Sequence, residues 1–418
     1  MKAWKTKIDR TYIILICYFT SFIIFAFLVN TPHEIFSGMK NIIIESDILI
    51  TDYFKVGGIG AAFANSGLLG LISIYILIHI GIKPNGATVT ALWLVAGFAF
   101  FGKNIMNVWP VMIGVWIYSK YQKESFLNYV LIALFGTTLS PTVNELRFTG
   151  IFPLQLSILM GISIGIFIGF ILPPIASYCM KLHQGYNLYN TGFAAGLIAA
   201  LLMSVFRAFG IDFKQRLIWS SGNNFLFIIV LLILFGSMII LGYFLNDKSF
   251  KNLNKIMNHS GRLITDFYML YGEGISLVNM GILGIASTCI ILMIGGDLNG
   301  PTIGGIFTVA GFGTFGKHIL NVIPVMIGAI LSSAFNIWSI NSPNMQLAIL
   351  FCTTLAPISG HFGWWWGITA GFLHVCMVMN MGYIHGGINL YSNGFAGGVV
   401  AIILIPIITA FRKENMHS

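Results

Sequence analysis

A thirty-residue block occurs twice in this chain, and this repeat constrains the possible fold more than any other feature. The copies are NGATVTALWLVAGFAFFGKNIMNVWPVMIG at 85–114 and NGPTIGGIFTVAGFGTFGKHILNVIPVMIG at 299–328, with 18 of 30 positions identical. Three flanking segments continue the correspondence: 50–52 with 264–266, 137–141 with 353–357, and 183–189 with 385–391. Each half is therefore one complete structural unit, and every repeated residue has a twin in the other half.

Most of the remaining sequence is apolar. Hydrophobic residues make up 57% and charged residues only 8%, whereas about a quarter of a soluble domain is charged. A water-soluble globular fold is excluded, and the +9 net charge forms no basic stripe with interleaved aromatics that would indicate nucleic acid. The five cysteines lie in apolar stretches without CxxC spacing, which is typical of small core residues. The composition predicts an all-α polytopic membrane protein.

The apolar segments differ in length. They span about 12–29, 57–82, 86–101, 105–119, 126–140, 154–180, 187–209, 223–245, 274–294, 301–315, 319–335, 345–357, 362–380 and 389–411. Several fall short of the roughly 20 residues that cross a hydrocarbon core. The short segments are predicted to be broken or re-entrant half-helices.

Segment counting and basic residues together predict orientation. Seven apolar segments separate a residue from its twin, so the two repeats should be inverted. Lysine and arginine concentrate in cytoplasmic loops, and a cytoplasmic N-terminus places most of them inside. These are Lys2, Lys5, Lys7, Arg10, Lys120, Lys123, Lys248, Lys251, Lys255, Arg262, Arg412 and Lys413. Lys214 and Arg216 fall outside and oppose this assignment.

The domain prediction follows from the repeat. It comprises an N-terminal cytoplasmic segment with a leading transmembrane helix (1–45), repeat 1 (46–211), a linking helix with a cytoplasmic loop (212–259), repeat 2 (260–411) and a C-terminal tail (412–418). The predicted location is the cell membrane, multi-pass, with both termini cytoplasmic. Inverted repeats with broken helices are typical of transporters.

Two motif pairs resemble known families. The blocks GF-x-x-FGK-x-I-x-NV-x-PVMIG and H-x-G-x-NLY-x-x-GFA-x-G resemble a family of multi-spanning bacterial membrane proteins catalogued only as a domain of unknown function. That resemblance covers nearly the whole chain and implies no established activity. NLYNTGFAAGL and its twin segment NLYSNGFAGGV are similar to a motif of urea transporters, which implies a central pore between inverted repeats. Lys103 and Lys317 depart from that neutral-solute pattern.

A cation with nearby polar residues joins two short apolar segments in each repeat. The residues are Lys103, Asn104 and Asn107 in repeat 1, and Lys317, His318 and Asn321 in repeat 2. Charge inside a membrane needs a partner or a wet cavity, which favours a solute pathway lined by these residues. Two alternatives remain: each lysine snorkels to the headgroups, or it caps the preceding half-helix.

Four asparagines precede apolar runs. Asn85 and Asn299 can cap helices whose positive ends face inward and suit an anion or a carbonyl oxygen, although plain capping is equally compatible. Asn187 and Asn389 repeat this arrangement ahead of GxxxG spacings, whose glycines favour close helix packing. All four are assigned to the predicted substrate pathway.

Glu145 stands opposite His361 in the repeat register. A carboxylate and an imidazole at twin positions can form a proton relay. The alternatives are that Glu145 pairs with Arg147 and that His361 lies in the membrane interface beside tryptophans.

One motif favours an enzyme. It is the G-x-S-x-G pattern around Ser163, with His374 as a base for an intramembrane reaction on lipid or peptide. The strand-turn-helix context is missing, and the twin of Ser163 is Thr369, which favours packing. The sequence lacks HExxH, a P-loop and a dinucleotide fingerprint. No catalytic residue, metal or cofactor is therefore predicted.

The functional prediction is a transporter or channel for a small polar solute that crosses between the repeats. A small anion or weak acid is the first choice, since the pathway holds two lysines and few carboxylates; a neutral amide-like solute is the alternative. The predicted partners are the lipid bilayer and this solute, without nucleic acid, and a homo-oligomer is left open.

The inverted topology has a direct test. Single cysteines introduced into the loops at Asn85 and Asn299 should react with an impermeant thiol reagent from opposite sides of the membrane, because twin loops of inverted repeats face opposite compartments. Labelling of both loops from one side would refute inversion.

Overall fold

The computed structural model describes residues 8–335 and 337–414, with the side chains of 412–414 left out. Lys2, Lys5, Lys7 and the side chains of Arg412 and Lys413 therefore lie outside the description, although the orientation prediction uses them. The described part is helical, without strands; its bridges are isolated ones, Thr51 with Ile218 and Asp52 with Phe101.

Ten helices form the first half of the described chain. They are α1 (Arg10–Val29), α2 (Pro32–Ile44), α3 (Tyr53–Gly57), α4 (Ile59–Ile80), α5 (Gly86–Phe98), α6 (Trp109–Tyr121), α7 (Val130–Gly136), α8 (Pro141–Glu145), α9 (Leu154–Leu182) and α10 (Asn190–Ala208). The leading apolar run and the short segments are thus helices at the predicted places. α2 was not predicted; its start is fixed by a capping box between Thr31 and Glu34.

Eleven helices form the second half. They are α11 (Asn224–Leu245), α12 (Leu253–Met257), α13 (Phe267–Tyr271), α14 (Glu273–Met293), α15 (Gly300–Gly311), α16 (Ile319–Phe335), α17 (Pro343–Phe351), α18 (Ala356–Phe362), α19 (Trp364–Val378), α20 (Met381–His385) and α21 (Ser392–Glu414). Apart from α20, they repeat the order of the first half. The pairing also matches α1 with α11, two helices that the predicted boundaries left outside the repeats.

Eight helical stretches in the described residues are long and apolar enough to cross a bilayer. They are Arg10–Val29, Ile59–Ile80, Leu154–Leu182, Asn190–Ala208, Asn224–Leu245, Glu273–Met293, Pro343–Phe362 and Ser392–Phe411. The predicted all-α polytopic membrane class is confirmed, and these helices imply contact with lipid. α5 and α15 are shorter, with 13 and 12 residues.

The twin helices α1 and α11 lie close together and run antiparallel. At one end of this pair, Arg10 of α1 forms an ion pair with Glu273, and the adjacent Gly274 packs against Gly242 of α11. Farther along, the hydroxyls of Tyr18 and Ser237 are 3.1 Å apart. The start of α1 therefore lies near the end of α11.

The pair α5 and α15 has the same antiparallel arrangement at the centre of the molecule. The Thr314 hydroxyl, just after α15, donates to the carbonyl of Gly86 at the start of α5 (2.9 Å). In the middle, the rings of the twins Trp93 and Phe307 are 5.1 Å apart. The orientation of the halves relative to a bilayer stays a prediction.

Each central helix is capped from the opposite half. Asn85 and Asn299 are the N-caps, as predicted, and each side chain accepts the backbone N–H three residues on. The first backbone N–H of each helix, however, donates to a carboxylate. Both oxygens of Asp266 accept from Gly86 N (3.0 and 3.1 Å), and Asp52 accepts from Gly300 N (3.2 Å). These helix starts are therefore occupied and not open to an external anion.

Glycines allow the helices to approach closely elsewhere. A Cβ built at Gly169 would lie 2.0 Å from the carbonyl oxygen of Val111, and one at Gly371 would lie 1.9 Å from that of Val325. Gly192 and Gly394 bring α10 and α21 together, with 3.3 Å between a Cβ on the first and Cα of the second. The glycine spacings thus serve packing, as predicted.

The Asp52 cap gives a stability prediction. Asp52→Ala should lower the free energy of unfolding by about 2–4 kcal/mol, because the N–H groups of Phe54, Ser220 and Gly300 lose their acceptor. Denaturant unfolding in mixed micelles measures this change. Glu124→Ala, at an exposed carboxylate, is the control; an equal effect of both substitutions would contradict the bridging role of Asp52.

Candidate functional site

The two lysine turns have the same backbone. Gly102 and Gly316 follow the central helices α5 and α15. Their φ angles of +82° and +96° lie in the left-handed region that favours glycine. The backbone N–H of each following lysine donates to a carbonyl near the end of the preceding helix. Lys103 N donates to Phe98 O (3.2 Å), and Lys317 N donates to Phe312 O (3.0 Å). This turn directs each lysine into the protein.

Asn65 and Asn279 hold these turns from α4 and α14. The Asn65 amide donates to the carbonyls of Ala99 (2.7 Å) and Lys103 (2.9 Å), and Asn279 does the same for Gly313 (2.7 Å) and Lys317 (2.8 Å). The sequence prediction did not include this pair. Its signal was a polar residue at twin positions inside long apolar helices.

Both lysine side chains are completely buried, with 0% exposure. The snorkelling alternative is therefore wrong, since it requires the ammonium groups to reach the headgroups. Lys317 donates to the hydroxyls of Tyr189 (2.6 Å) and Thr353 (2.7 Å) and lies over the Tyr189 ring at 4.5 Å. Lys103 lies over the rings of Phe98 (5.1 Å) and Tyr391 (5.2 Å), and its ammonium has no hydrogen-bond partner.

The polar residues after each lysine stabilise the turn itself. The Asn107 side chain accepts from Asn104 N (2.9 Å) and donates to Gly102 O (3.1 Å). Asn321 repeats both contacts with His318 N and Gly316 O, each at 2.9 Å. The His318 ring contacts the carbonyl of His259 at 2.8 Å. None of these side chains lines the cavities described below.

Asn187 and Asn389 tie each half to the other. Asn187 accepts from the hydroxyl of Thr354 and donates to Gly394 O (3.0 Å). Asn389 accepts from the hydroxyl of Thr138 at 3.4 Å, but its amide nitrogen has no partner. The side-chain oxygens of the two asparagines therefore accept from twin threonines, whereas only the amide nitrogen of Asn187 has an acceptor.

Glu145 and His361 lie in different surroundings. Glu145 is buried and accepts from the Ser46 hydroxyl (2.9 Å) and Asp47 N (2.7 Å). His361 is exposed on α18, with its ring 5.5 Å from that of Tyr186. The Arg147 guanidinium donates to the backbone carbonyls of Ile43 and Glu45, so it does not act as the suggested hydrogen-bonded partner of Glu145.

Asp47 is the centre of a polar network that the sequence prediction missed. Its carboxylate accepts from the Tyr53 hydroxyl (2.5 Å) and from the amides of three asparagines. They are Asn104 at 3.3 Å, Asn107 at 2.9 Å and Asn144 at 2.5 Å. The twin of Asp47 is Gly261, so a comparison of the repeats does not reveal it.

Ser163 and His374, the two residues of the enzyme alternative, have separate hydrogen-bond partners. Ser163 lies on the exposed side of α9 and donates to Leu159 O in its own helix (2.8 Å). The His374 ring contacts the Asn393 side chain at 3.0 Å. The glycines of the motif serve packing: a Cβ at Gly161 would lie 2.1 Å from Val143 O. In the described residues, no group of three or more His, Cys, Asp and Glu side chains could hold a metal.

Two cavities are lined by twin segments of the repeats. The polar cavity, of about 550 Å³, contains Leu49, Ile50, Phe101, Phe351 and Leu390. The apolar cavity, of about 330 Å³, contains the corresponding residues Leu263, Ile264, Phe315, Phe135 and Leu188. The polar cavity is further lined by Arg207, Asp212, Gln215, Asn344, Asn380, Ser392 and Asn393.

An aromatic layer separates the two cavities. It consists of Phe98, Tyr189, Phe312, Phe351 and Tyr391, with ring centroids 4.4 Å apart for Phe98 and Tyr391 and 5.0 Å apart for Tyr189 and Phe312. A cavity of about 10 Å³ lies within the layer. The layer therefore leaves space for about one water molecule.

Comparison with known proteins places the chain in a family. Residues 31–208 and 245–410 match the family described as protein of unknown function (DUF1576), and the two matched stretches are offset like the two copies of the repeat. No curated protein and no solved structure matches the chain, and the comparisons do not show a similarity to urea transporters. Since the match covers most of its length, the chain belongs to the DUF1576 family, whose function is unknown.

Proposed function

We propose that this protein carries a small polar solute across the cell membrane, along a path from the polar cavity to the apolar cavity. One observation carries the proposal. Successive residues of α5 and its following turn line the apolar cavity (Ala87, Leu94), the small central cavity (Leu94, Phe98) and the polar cavity (Phe101). The cavities thus follow one another along a central helix.

The arrangement of twin helices supports alternating access. Antiparallel twins are expected from inverted repeats, and rocking between such repeats opens a central site to each side in turn. In this proposal α5 with α6, and α15 with α16, form re-entrant pairs, and both termini are cytoplasmic. The polar cavity then faces outward and the apolar cavity faces the cytoplasm.

A carrier fits the aromatic layer better than an open channel. The central cavity has room for about one water molecule, which is too little for a solute such as formate or acetate. Passage therefore requires the rings of the layer to separate, which a movement between the repeats can provide.

The charges of the path favour a small anion or weak acid. Lys103 is buried against the aromatic layer and has no ion-pair partner in the described part of the chain, whereas Arg207 of the polar cavity is paired with Asp212 at 3.2 Å. Fixed cations at a low-dielectric site attract anions and repel cations. A neutral amide-like solute is the second candidate, since four amide side chains line the polar cavity: Gln215, Asn344, Asn380 and Asn393.

Flux through proteoliposomes tests this function. The solute panel comprises formate, acetate, lactate, chloride, urea and acetamide, and we expect protein-dependent uptake of at least one anion. In a cysteine-free background, Asn344→Cys in the polar cavity and Thr191→Cys in the apolar cavity should each render that uptake sensitive to an impermeant thiol reagent. The two variants should be blocked from opposite faces, because the cavities open on opposite sides of the layer.

Lys83→Cys is the control, at an exposed position outside both cavities; its modification should leave uptake unchanged. Uptake of urea or acetamide, without uptake of any anion, would indicate that the transported solute is neutral. The absence of protein-dependent flux for the whole panel, or block of both cavity variants from one face, would contradict the proposal.

A further inference from the structure

The two lysine sites are built from twin residues but differ in their hydrogen bonds. In one site, Lys317 donates to the Tyr189 hydroxyl (2.6 Å), and the neighbouring Asn187 amide donates to Gly394 O (3.0 Å). Thr353 provides a second acceptor for the lysine at 2.7 Å. Each of these polar side chains therefore has at least one hydrogen-bond partner within the protein.

The twin site has three donors without a partner. They are the Lys103 ammonium, the Tyr391 hydroxyl and the Asn389 amide nitrogen. Lys103 and Asn389 are 0% exposed and Tyr391 is 5% exposed, so solvent outside the protein does not satisfy them. In the described part of the chain, no carboxylate lies within ion-pair distance of Lys103.

Lys103 lies beside segment 389–391, which carries the other two donors. The Lys103 ammonium is 5.2 Å from the centre of the Tyr391 ring, and Tyr391 N donates to the Asn389 side chain at 3.0 Å. Gly102 packs against Leu390, since a Cβ on this glycine would lie 2.4 Å from the leucine side chain. Lys103 is thereby fixed next to segment 389–391.

A buried cation and two neutral donors call for an acceptor with negative charge, because unpaired donors and charges are costly away from water. The Phe98 and Tyr391 rings face the ammonium and offset only part of that cost. Both rings also border the central cavity of about 10 Å³. The cavity has room for about one water molecule, and neither Lys103 nor Asn389 lines it.

We propose that Lys103, Tyr391 and Asn389 bind a small monovalent anion, either a free inorganic ion or the carboxylate of the transported solute. The ammonium supplies the charge, and the hydroxyl and the amide fix the position of the acceptor. The inference rests on the proposed transport function only where the anion is the carboxylate of the transported solute. Lys317, which already donates to Tyr189 and Thr353, does not bind one.

Anion-dependent thermal stabilisation of the purified protein in detergent tests the site. Titration with sodium formate or sodium chloride, at constant ionic strength maintained with gluconate, should raise the Tm of the wild type by mass action. A response to formate alone assigns the site to a carboxylate, and a response to chloride alone assigns it to an inorganic anion. Either response supports the site.

The repeat supplies matched variants. Lys103→Met should weaken anion binding by about tenfold or more, because a hydrogen bond to a charged group is lost, whereas Lys317→Met should keep the wild-type response. Tyr391→Phe, which keeps the ring, should weaken binding several-fold, and Tyr189→Phe should not. Tyr391→Phe also provides the test if Lys103→Met fails to fold.

The site would be overturned by a wild type that responds to neither anion. It would also be overturned by an unchanged response in Lys103→Met or Tyr391→Phe, or by an equal loss in the Lys317 and Tyr189 variants. Binding is measured without flux, so the two proposals fail separately. Binding at Lys103 without transport would refute the carrier, and transport without this binding would refute the anion site.

Discussion

Two carboxylates, each reaching the start of a helix in the opposite half, are the contacts on which the centre of this molecule depends. Asp266 binds the first N–H of α5, and Asp52 binds that of α15. A helix start is electropositive and carries unsatisfied donors, so a buried one needs such an acceptor. The antiparallel pair that results positions both lysine turns and the aromatic layer between the cavities.

The repeat made much of this fold predictable. It located the short central helices, their asparagine caps and the glycines that pack α9 and α19 against their neighbours. It could not show which half supplies each carboxylate, because capping patterns are local and the exchange is tertiary. Asp47 was missed for another reason. Its twin is Gly261, and a comparison of the two halves detects only residues that both halves contain.

The lysines show that equal sequence does not mean equal environment. Both lie in the same FGK turn, and both are buried, yet Lys317 has two hydrogen-bond partners and Lys103 has none. Segment 389–391 is also held less closely than its twin segment, since Leu390 N is 3.2 Å from Thr138 O and Leu188 N is 3.0 Å from Thr354 O. The two copies of a repeated motif can therefore differ in their hydrogen bonds, which a comparison of the sequences does not show.

The exchanged caps also bear on biosynthesis. When α5 leaves the ribosome, the carboxylate that completes its start is still 180 residues away. Asn85 can cap this end from the outset, but the Gly86 N–H gains its carboxylate acceptor only when the second half has been synthesised.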